Sequence, residues 1–163
     1  VNILVTGGAG YIGCVLVPAL LGRNFKVRVL DNYMYGGRGL IPSLLDKNLE
    51  LVRGDVRDVT ILKDSLKGID LVIHLAAIVG YPACKKYPDL ARTVNHEATV
   101  LLEKTRDKQV PILFGSTGSN YGAVAGKACT EETPLNPLSL YGETKTQAEQ
   151  HLLENANVIC YRF

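Results

Sequence analysis

The sequence lacks any concentration of charge. Its 18 basic and 16 acidic side chains give a formal net charge of +2, and the basic residues stand singly or in short pairs such as Lys85-Lys86. Nucleic-acid surfaces and polybasic membrane patches need clustered Lys and Arg. We therefore expect neither nucleic acid nor a membrane as a partner.

Cysteine clusters and long apolar runs are also missing. The four cysteines lie far apart, at Cys14, Cys84, Cys129 and Cys160, with no CxxC or Cys/His grouping, so we expect reduced thiols and no metal site. The first residues lack the basic-then-apolar order of a signal peptide, and no run approaches the roughly 20 apolar residues of a membrane span. A cytoplasmic protein is the expectation.

What the chain does have is enough apolar material for one core. Of its 163 residues, 47% are hydrophobic, and a domain of this size buries roughly two-thirds of the surface that its unfolded chain exposes. We predict a single domain over residues 1–163. The chain opens on Val1 rather than Met and closes on Phe163 directly after an apolar segment, so we expect it to be trimmed from a longer protein.

Short β-branched runs alternate with helical patterns. The predicted strands are Asn2–Thr6, Lys26–Leu30, Leu49–Arg53, Leu71–Leu75, Val110–Phe114 and Val158–Tyr161. The predicted helices are 11–23, 59–67, 89–108 and 139–154. Nearly continuous apolar strands separated by helices predict an α/β fold, a doubly wound parallel sheet of the Rossmann type. Pro18 falls inside the first helix, so we expect a bend there or a helix that tolerates it.

A glycine-rich turn joins the first strand to the first helix. Gly7, Gly10 and Gly13 give the spacing GxxGxxG, which suits a tight turn, close approach of a pyrophosphate and close helix packing. The helix N-terminus would offer free N–H groups to the phosphates. The alternative is a tight turn that needs glycine without any ligand.

Acidic residues end the next two strands. Asp31 could accept hydrogen bonds from the adenosine ribose and would repel a 2′-phosphate, which favours NAD over NADP; Arg28 and Arg38 leave NADP open. Asp31 could also be an ordinary turn residue. Asp55, with Val56, is a candidate adenine contact, although an aspartate that caps the helix near Asp58 fits equally well.

A tyrosine and a lysine four residues apart, Tyr141 and Lys145, share one face of the last predicted helix. A phenol is a poor base at neutral pH, but a nearby ammonium, with the positive charge of an oxidised nicotinamide, would favour the phenolate. The loop Gly115–Gly122 carries hydroxyls to the same sheet edge, although Ser116 and Ser119 could simply cap backbone groups. YxxxK alone also occurs on ordinary amphipathic helices.

Together these motifs resemble the NAD-dependent epimerase/dehydratase family, the extended branch of the short-chain dehydrogenases, over essentially all 163 residues. The resemblance is carried by TGGAGYIG at 6–13, Asp31-Asn32, Gly54-Asp55-Val56, His74-Leu75-Ala76-Ala77, Tyr121-Gly122 and YxxxK at 141–145. It implies NAD as cofactor and a nucleotide sugar as substrate. It also implies a homodimer formed through the helices at 89–108 and 139–154.

The resemblance assigns roles residue by residue. Thr117, Tyr141 and Lys145 would be catalytic, with Tyr141 as the acid/base and Lys145 also binding the nicotinamide ribose. The implied cofactor-binding residues are Gly7, Gly10, Tyr11, Ile12, Gly13, Asp31, Asn32, Asp55, Val56, Leu75, Ala76, Ala77 and Asn95, together with Tyr141 and Lys145. Asn95 matches the family's helix asparagine, which helps to fix the geometry of the active site.

Departures from the family pattern narrow the expected reaction. Gly118 and Ser119 stand where 4,6-dehydratases carry an acidic pair, so an epimerase is favoured over a dehydratase. Asn120 replaces a residue that is usually small and apolar. The family normally runs to about twice this length, so the lobe that selects the sugar is expected to lie outside this sequence.

Two other functions stay open. An NAD(P)-dependent reductase of a non-sugar carbonyl would use the same catalytic residues, and a regulatory NAD-binding protein would keep the fold without the reaction. His74, His96 and His151 are expected to be structural, because each stands alone in the sequence. Cys84 is expected to be a partly buried thiol.

Overall fold

The computed structural model of the chain describes residues 1–126, 128–155 and 157–163. Six strands form one parallel sheet in the order β3-β2-β1-β4-β5-β6. They are β1 (Asn2–Thr6), β2 (Lys26–Asp31), β3 (Leu49–Arg53), β4 (Leu71–His74), β5 (Ile112–Ser116) and β6 (Val158–Arg162). This is the order of a Rossmann sheet, and the predicted fold class is confirmed.

Helices cover both faces of the sheet. They are α1 (Gly13–Leu21), α2 (Val59–Ser65), α3 (Tyr81–Lys86), α4 (Pro88–Arg92), α5 (Ala98–Thr105) and α6 (Leu140–Leu153). Alternate β1 residues enter different cores, because successive strand side chains point to opposite faces: Ile3 and Val5 join one buried cluster and Leu4 joins the other. No helix among the described residues is long and apolar enough to cross a membrane.

The helix predicted at 89–108 is helical in the structure from Pro88 to Thr105, with a π-helical turn at Thr93–Glu97 between α4 and α5. It therefore ends earlier than predicted and contains a turn that the sequence did not indicate. The unpredicted α3 precedes it, with proline in the first turn of both α3 and α4. The π turn buries Val94 and Asn95, and such turns recur at functional sites.

Smaller boundary differences have local causes. β5 begins at Ile112 rather than Val110, because the Val110 N–H is used in a turn to the Asp107 carbonyl at 3.0 Å and Pro111 has no N–H to donate. β4 ends at His74, and α1 is shorter than predicted. That helix continues through Pro18, whose carbonyl accepts the Gly22 N–H at 2.9 Å.

The order of the strands in the sheet indicates where the candidate site lies. β1 pairs with β2 on one side and with β4 on the other, so the chain's winding reverses at β1. Thr6 at the carboxyl end of β1 is level with Leu30 and His74. Ligands of open α/β sheets bind at this edge beside such a switch point.

Candidate active site

A cavity of about 520 Å³ opens at the carboxyl edge of the sheet. It is lined by every predicted cofactor-binding residue that precedes Asn95: Gly7, Gly10, Tyr11, Ile12, Gly13, Asp31, Asn32, Asp55, Val56, Leu75, Ala76 and Ala77. Residues that the sequence analysis gave no such role also line it: Leu30, Met34, Tyr35, Gly54, Ile78, Val79, Ala83, Leu90 and Val94. Ile78 and Val79 extend the His74–Ala77 motif directly, so continuation of that motif could have indicated them.

The glycines of the turn are required by close backbone contacts. Gly7 has φ +69°, and a Cβ there would lie 2.6 Å from the backbone nitrogen of Ala76. A Cβ at Gly13 would lie 2.3 Å from the carbonyl oxygen of Gly8, so this glycine packs the helix against the turn itself. A Cβ at Gly8 would lie 2.9 Å from Cγ1 of Val29, so this glycine allows the turn to pack closely on the sheet. No side chain caps the N-terminus of α1, which leaves that end open to an anion.

Asp31 connects β2 to the glycine turn. Its Oδ2 accepts the backbone N–H of Ala9 at 3.0 Å and its Oδ1 accepts that of Tyr33 at 2.7 Å. An ionised carboxylate offers about four acceptor positions, so both oxygens retain capacity for the hydroxyls of a ribose. Asp31 therefore both shapes the turn and faces the cavity.

The two roles considered for an aspartate after β3, contact with adenine and capping of the next helix, fall on different residues. Asp58 is the N-cap of α2 and accepts the N–H groups of Thr60 and Ile61. Asp55 lines the cavity and pairs with Arg57 at 2.6 Å. The hydrogen bonds from Arg57 hold the pKa of Asp55 below its ordinary value. Capping thus belongs to Asp58, and Asp55 is available at the cavity wall.

Tyr141 and Thr117 lie next to each other, but neither of them, nor Lys145, is among the residues that line the cavity. Thr117 follows β5, is 7% exposed and caps the short turn after it by accepting the Ser119 N–H at 3.1 Å. Burial raises the pKa of Tyr141, while a hydrogen bond with Thr117 lowers it and the nearby Cys84 raises it. For the chain by itself, burial is the largest effect and Lys145 is not among the groups that act on the pKa of Tyr141, so the phenol stays protonated at neutral pH.

Lys145 is enclosed one turn further along α6. The residue is 2% exposed, and its Nζ lies 3.8 Å from the centre of the Phe114 ring. Burial lowers the pKa of Lys145 to about 7, although Cys160 and Glu149 act in the opposite direction. Lys145 is therefore a cation that is readily deprotonated near neutral pH.

Asn95 does not line the cavity. It is fully buried, its Oδ1 accepts the Ile78 N–H at 2.7 Å, and its Nδ2 donates to the Ile78 carbonyl at 3.0 Å and to Thr144 Oγ1 at 3.2 Å. A direct contact with a cofactor does not fit this arrangement, because the amide is occupied by protein groups. Asn95 instead holds the cavity wall at Ile78 against α6.

A buried carboxylate that the sequence analysis missed joins α6 to β6 and to the Thr117 loop. Glu149 is 1% exposed, and its Oε1 accepts Arg162 Nε at 2.9 Å. Its Oε2 accepts the Ser116 hydroxyl and, at 3.0 Å, Asn120 Nδ2. The unusual Asn120 is therefore a member of this network. Glu149 stands four residues after Lys145 on the same helix, and this spacing is the sequence feature that could have indicated it.

The donor types in the cavity fit a dinucleotide rather than a metal. No group of three or more His, Cys, Asp or Glu among the described residues could hold a metal ion. A glycine turn at an uncapped helix end suits a pyrophosphate, Asp31 suits a ribose, and the walls at Val56 and Leu75 suit flat apolar rings. Fold and cavity together define a dinucleotide-binding domain.

Comparison with known proteins identifies the family. Residues 3–158 match the NAD dependent epimerase/dehydratase family, and the chain belongs to that family. The resemblance seen in the sequence is thereby confirmed, as is NAD as the cofactor of the family.

The relatives are nucleotide-sugar enzymes about twice as long. A UDP-glucose 4-epimerase of Lactobacillus helveticus is 35% identical over 153 residues, which is 91% of this chain and 45% of the relative. A UDP-glucose 4-epimerase of Thermus thermophilus, solved with NAD, is 31% identical with a TM-score of 0.88, over 99% of this chain and 54% of that one. A dTDP-glucose 4,6-dehydratase of Streptomyces venezuelae, also solved with NAD, is 29% identical with a TM-score of 0.92, over 99% and 55%.

Proposed function

We propose that the chain is the NAD-binding and catalytic half of a nucleotide-sugar 4-epimerase. The observation that supports this most directly is the proximity of Thr117 to Tyr141, whose pKa the Thr117 hydroxyl lowers, with Lys145 buried one turn away. Cys84 lies beside Tyr141 and donates to the carbonyl of Ile78 on the cavity wall at 3.3 Å. The reacting groups would thus lie next to the part of the cavity at Leu75–Ala77.

NAD would supply hydride uptake from the sugar carbon and hydride return to it. Tyr141, once ionised, would accept the proton of the sugar hydroxyl, and the Thr117 hydroxyl would hold the same oxygen. Burial disfavours the phenolate of Tyr141, so a nearby positive charge is required to form it. Lys145 would provide such a charge when protonated and would bind the nicotinamide ribose.

The loop after β5 favours epimerisation over dehydration. Elimination of water from a sugar needs an acid and a base, whereas Gly118 and Ser119 directly follow Thr117. Gly118 lies against the chain end, with its N–H bonded to the Phe163 carbonyl at 2.6 Å, and carries no side chain. An epimerase needs no acid/base pair at these positions. A cytoplasmic location and a homodimer formed through α5 and α6 are further parts of this proposal.

The test is turnover of UDP- and dTDP-sugars by the intact protein. We expect interconversion of 4-epimers without net formation of NADH, because the hydride returns to the sugar. Stoichiometric NADH consumption with a simple carbonyl would instead establish the reductase, and loss of water from the sugar would establish the dehydratase.

A tyrosine variant tests the catalytic assignment. Tyr141→Phe removes the proton acceptor but keeps the ring, so we expect turnover to fall by at least about a thousandfold with NAD still bound. Tyr87→Phe, at a surface position that is 42% exposed, is the matched control and should retain full activity. Full activity of Tyr141→Phe would contradict the mechanism.

A further inference from the structure

His74 is a buried histidine with a hydrogen bond at each ring nitrogen. It ends β4 and is 1% exposed. Its Nδ1 lies 2.6 Å from Thr6 Oγ1, and its Nε2 lies 2.9 Å from Thr99 Oγ1. Thr6 immediately precedes the glycine turn, and Thr99 lies in the first turn of α5. The ring therefore bridges the end of β1 and the start of α5.

The hydroxyl protons determine which ring nitrogen carries hydrogen. Thr99 Oγ1 lies 2.9 Å from the Asn95 carbonyl oxygen, which can only accept. The single hydroxyl proton of Thr99 is used there, so Thr99 must accept a proton from His74 Nε2. At the other end Thr6 Oγ1 accepts the Ala76 N–H at 3.4 Å, and its own proton goes to His74 Nδ1. The Thr99 end requires this tautomer, and the Thr6 end is compatible with it, because an Nδ1 without a proton accepts the Thr6 hydroxyl.

The chain of hydrogen bonds continues from Asn95 to the catalytic helix. The Asn95 side chain donates to Thr144 Oγ1 at 3.2 Å. Thr144 in turn donates to the backbone carbonyls of Leu140 at 2.8 Å and Tyr141 at 3.1 Å. A path of hydrogen bonds, which passes through the covalent structure of Asn95, thus joins the residue before the glycine turn to the backbone of Tyr141.

The surroundings keep the imidazole uncharged. Burial and, to a smaller extent, the Lys145 ammonium lower the pKa of His74 to about 3. His74 stacks on Phe114 with ring centres 5.7 Å apart, and Lys145 Nζ lies over the same ring. A protonated ring could not accept from Thr6 and would add a second cation beside Lys145.

We propose that His74 is a positioning residue. As a neutral imidazole with its proton on Nε2, it holds the dinucleotide-binding turn in register with the Asn95 turn and with the helix that carries Tyr141. The inference rests on the proposed function only for the roles of the glycine turn and Tyr141. A substitution that breaks this path of hydrogen bonds at a residue outside the cavity is therefore expected both to weaken NAD binding and to slow hydride transfer.

The first test needs no activity. Nitrogen-15 NMR of the intact protein labelled in histidine reports the tautomer and titration of each ring. We expect the His74 signal, identified as the one displaced by Thr99→Val, to show a proton on Nε2 and no titration from about pH 5 to 9. A proton on Nδ1, or titration in that range, overturns the proposal.

The second test cuts the path at Thr99. Thr99→Val keeps the side-chain shape but removes the acceptor, and we expect NAD affinity to fall about fivefold and the single-turnover rate of NAD reduction about tenfold. Thr99→Ser keeps the hydroxyl and should restore both to within about twofold. Thr105→Val is the matched control, because Thr105 also donates to a carbonyl one turn back, at Leu101 and 2.6 Å, but lies outside the path.

The outcomes separate this proposal from the proposed function. If no sugar is turned over, NAD affinity and the tautomer still test the role of His74. If Thr99→Val binds NAD and reacts like Thr99→Ser, or if Thr105→Val causes the same losses, the positioning role is wrong.

Discussion

Replacing Lys145 with methionine is expected to stabilise the NAD-free protein while abolishing its reaction. The side chain is buried against Phe114, and no described residue accepts a hydrogen bond from its Nζ. Methionine fills a similar volume and makes favourable sulfur–aromatic contacts. The change leaves no buried carboxylate unpaired, because Glu149 keeps Arg162, Ser116 and Asn120. Removal of the ammonium therefore removes a desolvation cost without creating a new one.

The magnitude follows from the pKa. Burial lowers the pKa of Lys145 from 10.5 to about 7, and each unit corresponds to about 1.4 kcal/mol. Below about pH 7 both the folded and unfolded states carry the charge, so the full cost of about 5 kcal/mol applies. Between about pH 7 and 10.5 the unfolded state binds more protons than the folded state, so wild-type stability rises with pH. At about pH 9 the remaining cost is about 2 kcal/mol.

The assay is urea unfolding of NAD-free wild type and Lys145→Met at about pH 6 and pH 9. We expect the variant to be the more stable at both values, with a gain that is about 3 kcal/mol larger at about pH 6. A variant that is less stable than wild type at about pH 6, or a difference that does not change with pH, would refute the reasoning.

Two further predictions concern the cavity. Gly7→Ala is expected to abolish NAD binding, because the new Cβ would lie 2.6 Å from the Ala76 nitrogen. Gly36→Ala is the control, because its φ of +83° is similar but no atom lies within 4 Å of its Cβ, so this variant has backbone strain without a steric clash. Equal NAD affinities of the two variants by calorimetry would contradict this. Asp31→Asn should weaken NAD binding about tenfold and raise the relative affinity for NADP, since the charge that repels a 2′-phosphate is lost; an unchanged NAD-to-NADP ratio would count against it. The amide must also turn one NH2 hydrogen towards an N–H such as that of Ala9, so circular dichroism should accompany the titration.

Local chemistry explains why much of the site could be predicted. Gly7, at φ +69°, lies in a tight turn directly after β1, and Asp31 ends β2, so both positions follow from the local pattern of strand and turn residues. Tyr141 and Lys145 share a helix face through spacing alone. The alternating apolar runs likewise predict a parallel sheet, because strand and helix periods are properties of short segments.

Long-range packing decided the rest. The helix predicted at 89–108 contains a π-helical turn. In that turn, Asn95 Oδ1 lies 2.7 Å from the backbone nitrogen of Ile78, 17 residues away. Glu149 meets Ser116 across 33 residues, and no sequence period encodes such a contact.

The sequence by itself determined which groups are present at the carboxyl edge of the sheet and which cofactor they suit. Only the tertiary structure decided their protonation. The lysine expected to favour the Tyr141 phenolate has its own pKa lowered to about 7, and burial raises that of the phenol. Spacing along a helix defines distance between two groups, whereas the free energy of a charge depends on everything packed around it.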